Sequence, residues 1–432
     1  MTSQHLWQRL RQQRHQLVRD PLARTSLPLL INIGSNGLLG VAYWMVAARL
    51  YDTTSVANNS AVLAAMTTLS GITQLNLNQT LPVFVPRARE RARLIIAQVY
   101  GAVTVFALLV LAVFIFLVLP HLDALSKALS SPGHLAIFAA GLLIFNIFAM
   151  QDAALISLRK QKLIPFENAA FGAMKLLLLF PLMFLLPGFG IFGSWIFPLA
   201  ILVPVVSVLI FRRKPPLVSS APAALPRKAI STLGWDYLGY LFLVGSTFFL
   251  PVIALELLPS LGAAVFAIAW QTSSTIDLLA SNMGTALTVE TSYGGDPRAL
   301  RRTALRHGVL LVSGVAVLGA LLAPWVLSLY GPQYRAQGVA TLRLLLLAGI
   351  PRCLATFAIA EARAHRQIGF IVRLRAQNFI VALGLALLLA PELGVLGMAL
   401  AWLGAQVLSG AVALRRLLKW TPRRVESTGV TS

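Results

Sequence analysis

Apolar runs of membrane-crossing length alternate with short polar gaps along almost the whole chain. A spanning helix needs about 20 apolar residues. Twelve runs approach or exceed that length, near 27–49, 56–86, 95–119, 134–158, 167–186, 189–211, 233–258, 261–290, 303–329, 338–362, 368–390 and 393–418. The pattern predicts an all-α polytopic membrane protein of about twelve transmembrane helices. An even number puts both termini on the same side.

The polar gaps are of two kinds. Thirty of the 36 lysines and arginines fall before residue 27, at 87–93, 159–162, 212–228, 298–306 and 363–375, and after 414. The intervening gaps hold only Lys127 and Arg335. This alternation is the positive-inside pattern, and it predicts a multi-pass membrane protein with both termini cytoplasmic. The other gaps, such as Leu50–Ser55 and Pro187–Gly188, are too short to fold into an external domain.

Composition narrows the function further. The chain is 57% hydrophobic and 12% charged, with mean hydropathy +0.78, which suits lipid rather than water. A net charge of +22 invites a nucleic-acid reading, but the basic residues are spread over seven short loops with no binding module, and no nucleic-acid partner is expected. One cysteine, Cys353, allows no intramolecular disulfide and has no metal-site spacing. No nucleophile–base set, phosphate-cradling glycine loop or metal cluster stands out, so the chain does not read as an enzyme. An integral-membrane enzyme of polysaccharide assembly would call for acidic motifs or a sizeable outer loop, and the sequence carries neither.

The organisation predicted is a cytoplasmic amphipathic segment at 1–26, a six-helix bundle at 27–211, a linker at 212–232, a second bundle at 233–419 and a tail at 420–432. In the first segment Leu6, Leu10 and Leu17 recur among arginines, which suits a helix lying on the anionic leaflet. The linker contains RRKPPLVSSAPAALPRK, rich in proline and serine. A shift of 207–208 residues lays the second helix over the eighth, aligning Thr67 with Ser274, Ser70 with Asp277, Gln74 with Ser281 and Asn78 with Thr285. Six intervening spans make this a parallel repeat about a pseudo-two-fold along the membrane normal, an arrangement that places substrate between the halves.

Candidate site residues follow from the same helices. Ser60, Thr67, Ser70, Gln74 and Asn78 share one face of helix two; Gln271, Ser274, Asp277, Ser281, Thr285 and Thr288 share one face of helix eight. Interhelical hydrogen bonding explains such residues singly; two equivalent stripes suggest a shared water-filled cavity. Ionisable groups within spans are costly and need a partner or water. Arg352, after Pro351 in helix ten, is the deepest arginine, and a structural pair with a carboxylate such as Asp152 is its competing explanation. Asp277 is a carboxylate suited to ion or proton coupling. Lys175 lies deeper toward the cytoplasm, while Arg49, Glu256 and Arg343 lie near the outer interface, where snorkelling accounts for them equally well.

Three stretches carry a family resemblance: AARLYDTTSVANNSAVLAAMTTLSGITQLNLNQTLPVFVPRARE (Ala47–Glu90), AAVFAIAWQ with ALTVETS (Ala263–Gln271, Ala286–Ser292), and LYGPQYRAQGVATLRLLLLAGIPR (Leu329–Arg352). They resemble the lipid-linked oligosaccharide and polysaccharide-export flippases of the MOP (multidrug/oligosaccharidyl-lipid/polysaccharide) superfamily. The resemblance implies a carrier of an undecaprenyl-diphosphate-linked O-antigen or exopolysaccharide unit, with membrane lipids, a polysaccharide polymerase and chain-length machinery as partners. It implies no cofactor beyond a coupling H+ or Na+. On this basis Arg352, Lys175, Arg343 and Arg49 are assigned to the diphosphate, Gln74, Asn78, Gln271 and Ser274 to the glycan, and Asp277 and Glu256 to ion coupling. Flippases of the peptidoglycan precursor carry cavity arginines in helices two and eight, which this chain lacks. A multidrug/cation exporter of the same superfamily is the alternative, and it would need acidic rather than cationic side chains in the cavity.

Overall fold

A computed structural model describes residues 39–75, 77, 81, 85, 92–158, 160, 163–212, 227–274, 297–364 and 367–419. The segment 1–26, the tail 420–432, most of the linker, and Asn78, Asp277 and Glu290 lie outside them. The described residues are helical, without strands. Nine helices among them are long and apolar enough to cross a membrane, and the protein is a multi-pass membrane protein.

The described residues begin with α1 (Leu39–Leu50) and α2 (Thr53–Thr73). Helix α3 starts as Ala92–Val113 and continues through a π turn at Phe114–Val118 and a 3-10 turn at Leu119–His121. A short α4 (Asp123–Ala128) precedes α5 (Pro132–Ser157), α6 (Ile164–Leu185) and α7 (Gly190–Arg212). Then come α8 (Arg227–Leu257), α9 (260–274), α10 (Pro297–Tyr330), α11 (Pro332–Ala364), α12 (Ile368–Leu393) and α13 (Val395–Lys419).

Several boundaries differ from the hydropathy pattern for local reasons. Helix α2 starts early because Asp52 caps it, its Oδ1 accepting from Ser55 N–H at 2.7 Å. It runs to Thr73, and just beyond it Leu75 takes a left-handed φ of 51°. The gap expected at 330–337 shrinks to Gly331, because Pro332 starts α11 at a position where the missing N–H costs nothing. The gap 121–133 folds into α4.

Helix α2 is rich in Ser, Thr and Asn and is nevertheless largely buried. It packs against α3, α4, α5, α7 and α8, which shield it from lipid. Many of its polar groups find partners, Thr67 and Thr68 on carbonyls of α2 itself and others on neighbouring helices, as a membrane interior requires. Asn59 donates to Ser55 O and Gly188 O, each at 2.7 Å, and accepts from Phe192 N–H at 2.9 Å, closing the start of α7. Large apolar side chains such as Phe116, Leu177, Phe184, Leu321 and Leu388 point outward on the other helices, as lipid-facing positions do.

Helices α1–α7 and α8–α13 make their packing contacts mainly within their own group, joined chiefly where α8 meets α2 and α4. At that seam Gly71 lets Val244 approach, since a Cβ there would lie 3.0 Å from its methyl carbon. Within the second group Gly410 plays the same part against Pro351, with a Cβ meeting the proline Cβ at 2.6 Å and its carbonyl oxygen at 2.9 Å. Gly410→Val is expected to push α13 off α11 and lower stability by about 1–3 kcal/mol. Thermal unfolding in detergent checks this, with Gly384→Ala, at a glycine with open space around it, expected to cause no loss.

Candidate functional site

The apolar core divides along the membrane normal. One large cluster draws Tyr43, Val56, Phe138 and Phe192 from the first helix group and Leu250, Phe266, Tyr334 and Trp402 from the second. Toward the basic gaps two separate clusters replace it. The first group has Leu81, Ile96, Met150 and Ile210; the second has Ala358, Leu374, Ala413 and Leu417. The two groups are therefore sealed together at the end opposite the basic gaps. At the basic end the described residues of the two groups form separate clusters, with α2 and α8 still joined by the Tyr237 hydroxyl donating to Ile72 O at 2.6 Å.

Two charged residues tie the sealed end, each reaching across to cap a helix of the other group. Arg49, ending α1, donates from Nε to Leu329 O at 2.7 Å and from Nη2 to Ser328 O at 3.4 Å, at the C-terminus of α10. Glu256, ending α8, accepts from the Ala124 and Leu125 amides at 3.0 and 2.9 Å, at the N-terminus of α4. A cation at a helix C-terminus and an anion at an N-terminus both complement the macrodipole, each contributing about 0.3–1 kcal/mol at an exposed site. The sequence reading put Arg49 on the diphosphate and Glu256 on ion coupling; in this conformation both hold helix ends.

Other assigned residues fall into separate neighbourhoods. Gln74 is buried, with Nε2 donating to Ser70 Oγ at 2.9 Å. Ser70 Oγ donates to Asn146 Oδ1 at 2.9 Å, and Asn146 Nδ2 donates to Thr73 Oγ1 at 2.6 Å. The far part of the helix-two stripe is thus bonded into α5. Ser274 bonds back to Gln271 O at 2.7 Å, and both are half-buried on α9. Arg343 is exposed and donates to Ala320 O at 3.0 Å. Arg352 is half-buried with its guanidinium 5.2 Å from the Trp402 ring, which in turn packs edge-on against Trp270.

Lys175 has the most distinctive setting. It is buried among the rings of Trp195, Tyr43 and Phe171, with Nζ 4.3, 4.9 and 5.0 Å from their centroids. The rings come from α7, α1 and α6. The Tyr43 hydroxyl is itself held, 2.7 Å from Ser194 Oγ and donating to Ile191 O at 3.0 Å. Each ring contributes roughly 0.5–2 kcal/mol to an ammonium, which offsets much of the cost, about 2.5–3.5 kcal/mol, of a charge within the bilayer. The sequence reading found Lys175 but not its cage, because Tyr43, Phe171 and Trp195 are far apart in the chain and each reads as an ordinary core aromatic.

A crevice of about 190 Å³ lies between α2, α3 and α8, beside the seam. Ala65, Leu69, Val113, Phe114, Phe249 and Val252 line it. Its one polar residue, Thr68, turns its hydroxyl back to Ala64 O, so the lining is apolar. Among the described residues no group of His, Cys, Asp and Glu is placed to hold a metal ion.

No model of a known protein family matches the chain, and no curated protein matches its sequence. Solved structures do match. The inward-facing conformation of a multidrug resistance MATE family transporter of the MOP superfamily superposes with a TM-score of 0.67 at 14% identity, covering 91% of this chain and 96% of that one. A MATE structure in complex with MaD5 gives 0.63 at 15% identity, covering 92% and 96%. The outward-facing conformation of a MATE transporter gives 0.57 at 15% identity, covering 94% and 98%. At such identities the likeness is one of fold: this chain shares the fold of these MATE structures.

The caps make a direct prediction. Glu256→Ala removes the acceptor for two α4 amides and is expected to cost about 1 kcal/mol of closure. Hydrogen exchange at Ala124 and Leu125 should then rise about fivefold; unchanged exchange would reject the cap.

Proposed function

We propose that the protein is an alternating-access flippase for an undecaprenyl-diphosphate-linked oligosaccharide. It sits in the bacterial inner membrane, with the basic gaps and both termini in the cytoplasm. The observation that carries the transport reading is the divided core, one shared cluster at one end and two separate clusters at the other. Two bodies joined at one end and parted at the other are the geometry of a carrier open to one side, and the higher similarity to an inward-facing than to an outward-facing transporter agrees. The open side is then the cytoplasmic one, where such a lipid-linked unit is loaded.

Two features favour an anionic amphiphile. The apolar crevice beside the α2–α8 seam suits a hydrocarbon chain that stays in the bilayer while a head group enters between the helix groups. Three of the carboxylates an organic cation could use are already engaged, Asp52 capping α2, Glu256 capping α4 and Asp236 pairing with Arg363 at 3.3 Å, whereas buried Glu167 of α6 has no hydrogen-bond partner for either oxygen. Arg352, fixed over Trp402, is the residue assigned to the diphosphate, with Gln271 and Ser274 for sugar hydroxyls. Lys175 is buried among three rings, so it is not given that role here.

Multidrug export is the second reading, favoured by the solved structures, which are multidrug transporters. Reconstituted vesicles separate the two. The expected result is movement of a fluorescent undecaprenyl-diphosphate oligosaccharide between leaflets, with Arg352→Ala slowing it at least about tenfold, the loss of a charge-assisted bond of about 1.5–3 kcal/mol. Movement of an organic cation dye instead would establish the exporter.

A further inference from the structure

The geometry points to the crevice at the α2–α8 seam as a site for one acyl chain of an outer-leaflet phospholipid whose head group carries a phosphate and a primary ammonium. The inference rests on the alternating-access reading and its membrane orientation, not on the identity of the substrate. An apolar cavity of about 150 Å³ takes a six-carbon ring, so about 190 Å³ encloses roughly seven or eight carbons of a chain. The mouth opens to lipid, since Val113 and Val118 of the lining are 52% and 39% exposed. Depth selects the leaflet. From Val110 of α3 to Leu122, just before α4, the lining covers twelve residues, about 18 Å if helical. One leaflet's share of a hydrocarbon core of about 30 Å is about 15 Å, and this lining ends at the sealed side. Along it α3 switches to the π turn, whose first and last residues, Phe114 and Val118, both line the crevice; such turns inside helices often mark functional sites.

The rim at that end supplies the head-group chemistry. Helix α4 carries Asp123 and Lys127, both exposed and one turn apart, and His121 is exposed just before it. Lys127 is one of two basic residues in the outward gaps, so the charge topology of the chain does not call for it. A cation and an anion side by side match a zwitterion: Lys127 takes the phosphate and Asp123 takes the lipid's ammonium. A choline head group has no N–H to give Asp123, which makes the rim selective for a primary amine.

Occupancy of this crevice bears on the conformational cycle because its walls come from both helix groups. Ala65, Val113 and Leu125 belong to the first, and Phe249 and Val252 of α8 to the second. Buried Leu125 closes the outer end, and its amide is the one held by Glu256 of α8. A chain seated here touches both groups only while that end is sealed. A ligand shifts an equilibrium by its difference in affinity for the two states, so the bound lipid favours the sealed, cytoplasm-open form. The substrate's own chain has to displace it, which makes the crevice a point of competition between bilayer lipid and cargo.

The test measures the sealed end directly in full-length protein in lipid nanodiscs. Spin labels at exposed Leu185 and Glu392, at the outer ends of α6 and α12, report the separation; the native Cys353 is buried. Nanodiscs of phosphatidylethanolamine with phosphatidylglycerol are compared with nanodiscs in which phosphatidylcholine replaces the former. The ratio of sealed to open forms should be roughly tenfold higher with the ethanolamine lipid. Asp123→Asn with Lys127→Gln should remove that difference, and Ala65→Phe, whose ring fills the crevice, should stay sealed in both lipids. A wild-type ratio that ignores the lipid overturns the proposal. So does the same lipid response in the double variant, which would trace it to the bilayer as a whole. If Ala65→Phe fails to fold, an ethanolamine lipid with a photoreactive group on its acyl chain replaces it. Crosslinking at Val113 or Val252 is expected, and labelling only at other lipid-facing positions overturns the site. Because no substrate is used, a protein that responds in this way but moves no oligosaccharide in vesicles would refute the flippase reading and leave the lipid site standing.

Discussion

The reciprocal capping of α10 by Arg49 and of α4 by Glu256 is the contact on which the two-ended architecture turns. Each helix group offers a charged side chain to an unsatisfied helix end of the other. Neither tie is strong alone, since exposed caps contribute of the order of 1 kcal/mol. That weakness suits the opening joint that the proposed alternating-access cycle requires. The shared apolar cluster beside it adds non-directional burial, which can re-form after each separation without a specific geometry to recover.

A second constraint governs the interior. Lipid offers no hydrogen bonds, so a polar helix can exist in the bilayer only if protein surrounds it. Helix α2 is that helix. Asn59 closes the start of α7, Ser70 and Thr73 lock onto Asn146 of α5, and Gln74 donates to Ser70 Oγ. The same residues that make α2 a poor spanning segment by hydropathy therefore fix its neighbours. Lys175 follows the same rule with rings in place of oxygens, and its cage ties the first, fifth and sixth spans together.

The sequence was legible wherever the signal is additive along the chain. Apolar runs mark helices because each lipid-facing residue contributes independently to transfer free energy. It was less legible at helix ends, where single groups decide. Asp52 starts α2 early, Leu75 turns left-handed just beyond it, and Gly331 with Pro332 replaces an expected loop. It was least legible for the site. Gln74 reads from its helical face as a cavity residue, yet it is buried and bonded within the first helix group. A face is a direction on one helix, and what lies in that direction depends on the neighbour.

By itself, then, the sequence determined that the chain is a bundle of membrane helices and which few cations lie apart from the basic gaps. It also pointed to a MOP-type resemblance, and the fold agrees. Those properties follow from local composition, because the bilayer imposes the same test on every segment. The tertiary structure alone decided that Arg49 and Glu256 seal one end, that Lys175 sits among rings from three helices, and that the core splits toward the basic side. These depend on which helices meet. An arginine near a membrane surface is equally stable snorkelling or capping a helix until packing brings a helix end within 3 Å of it.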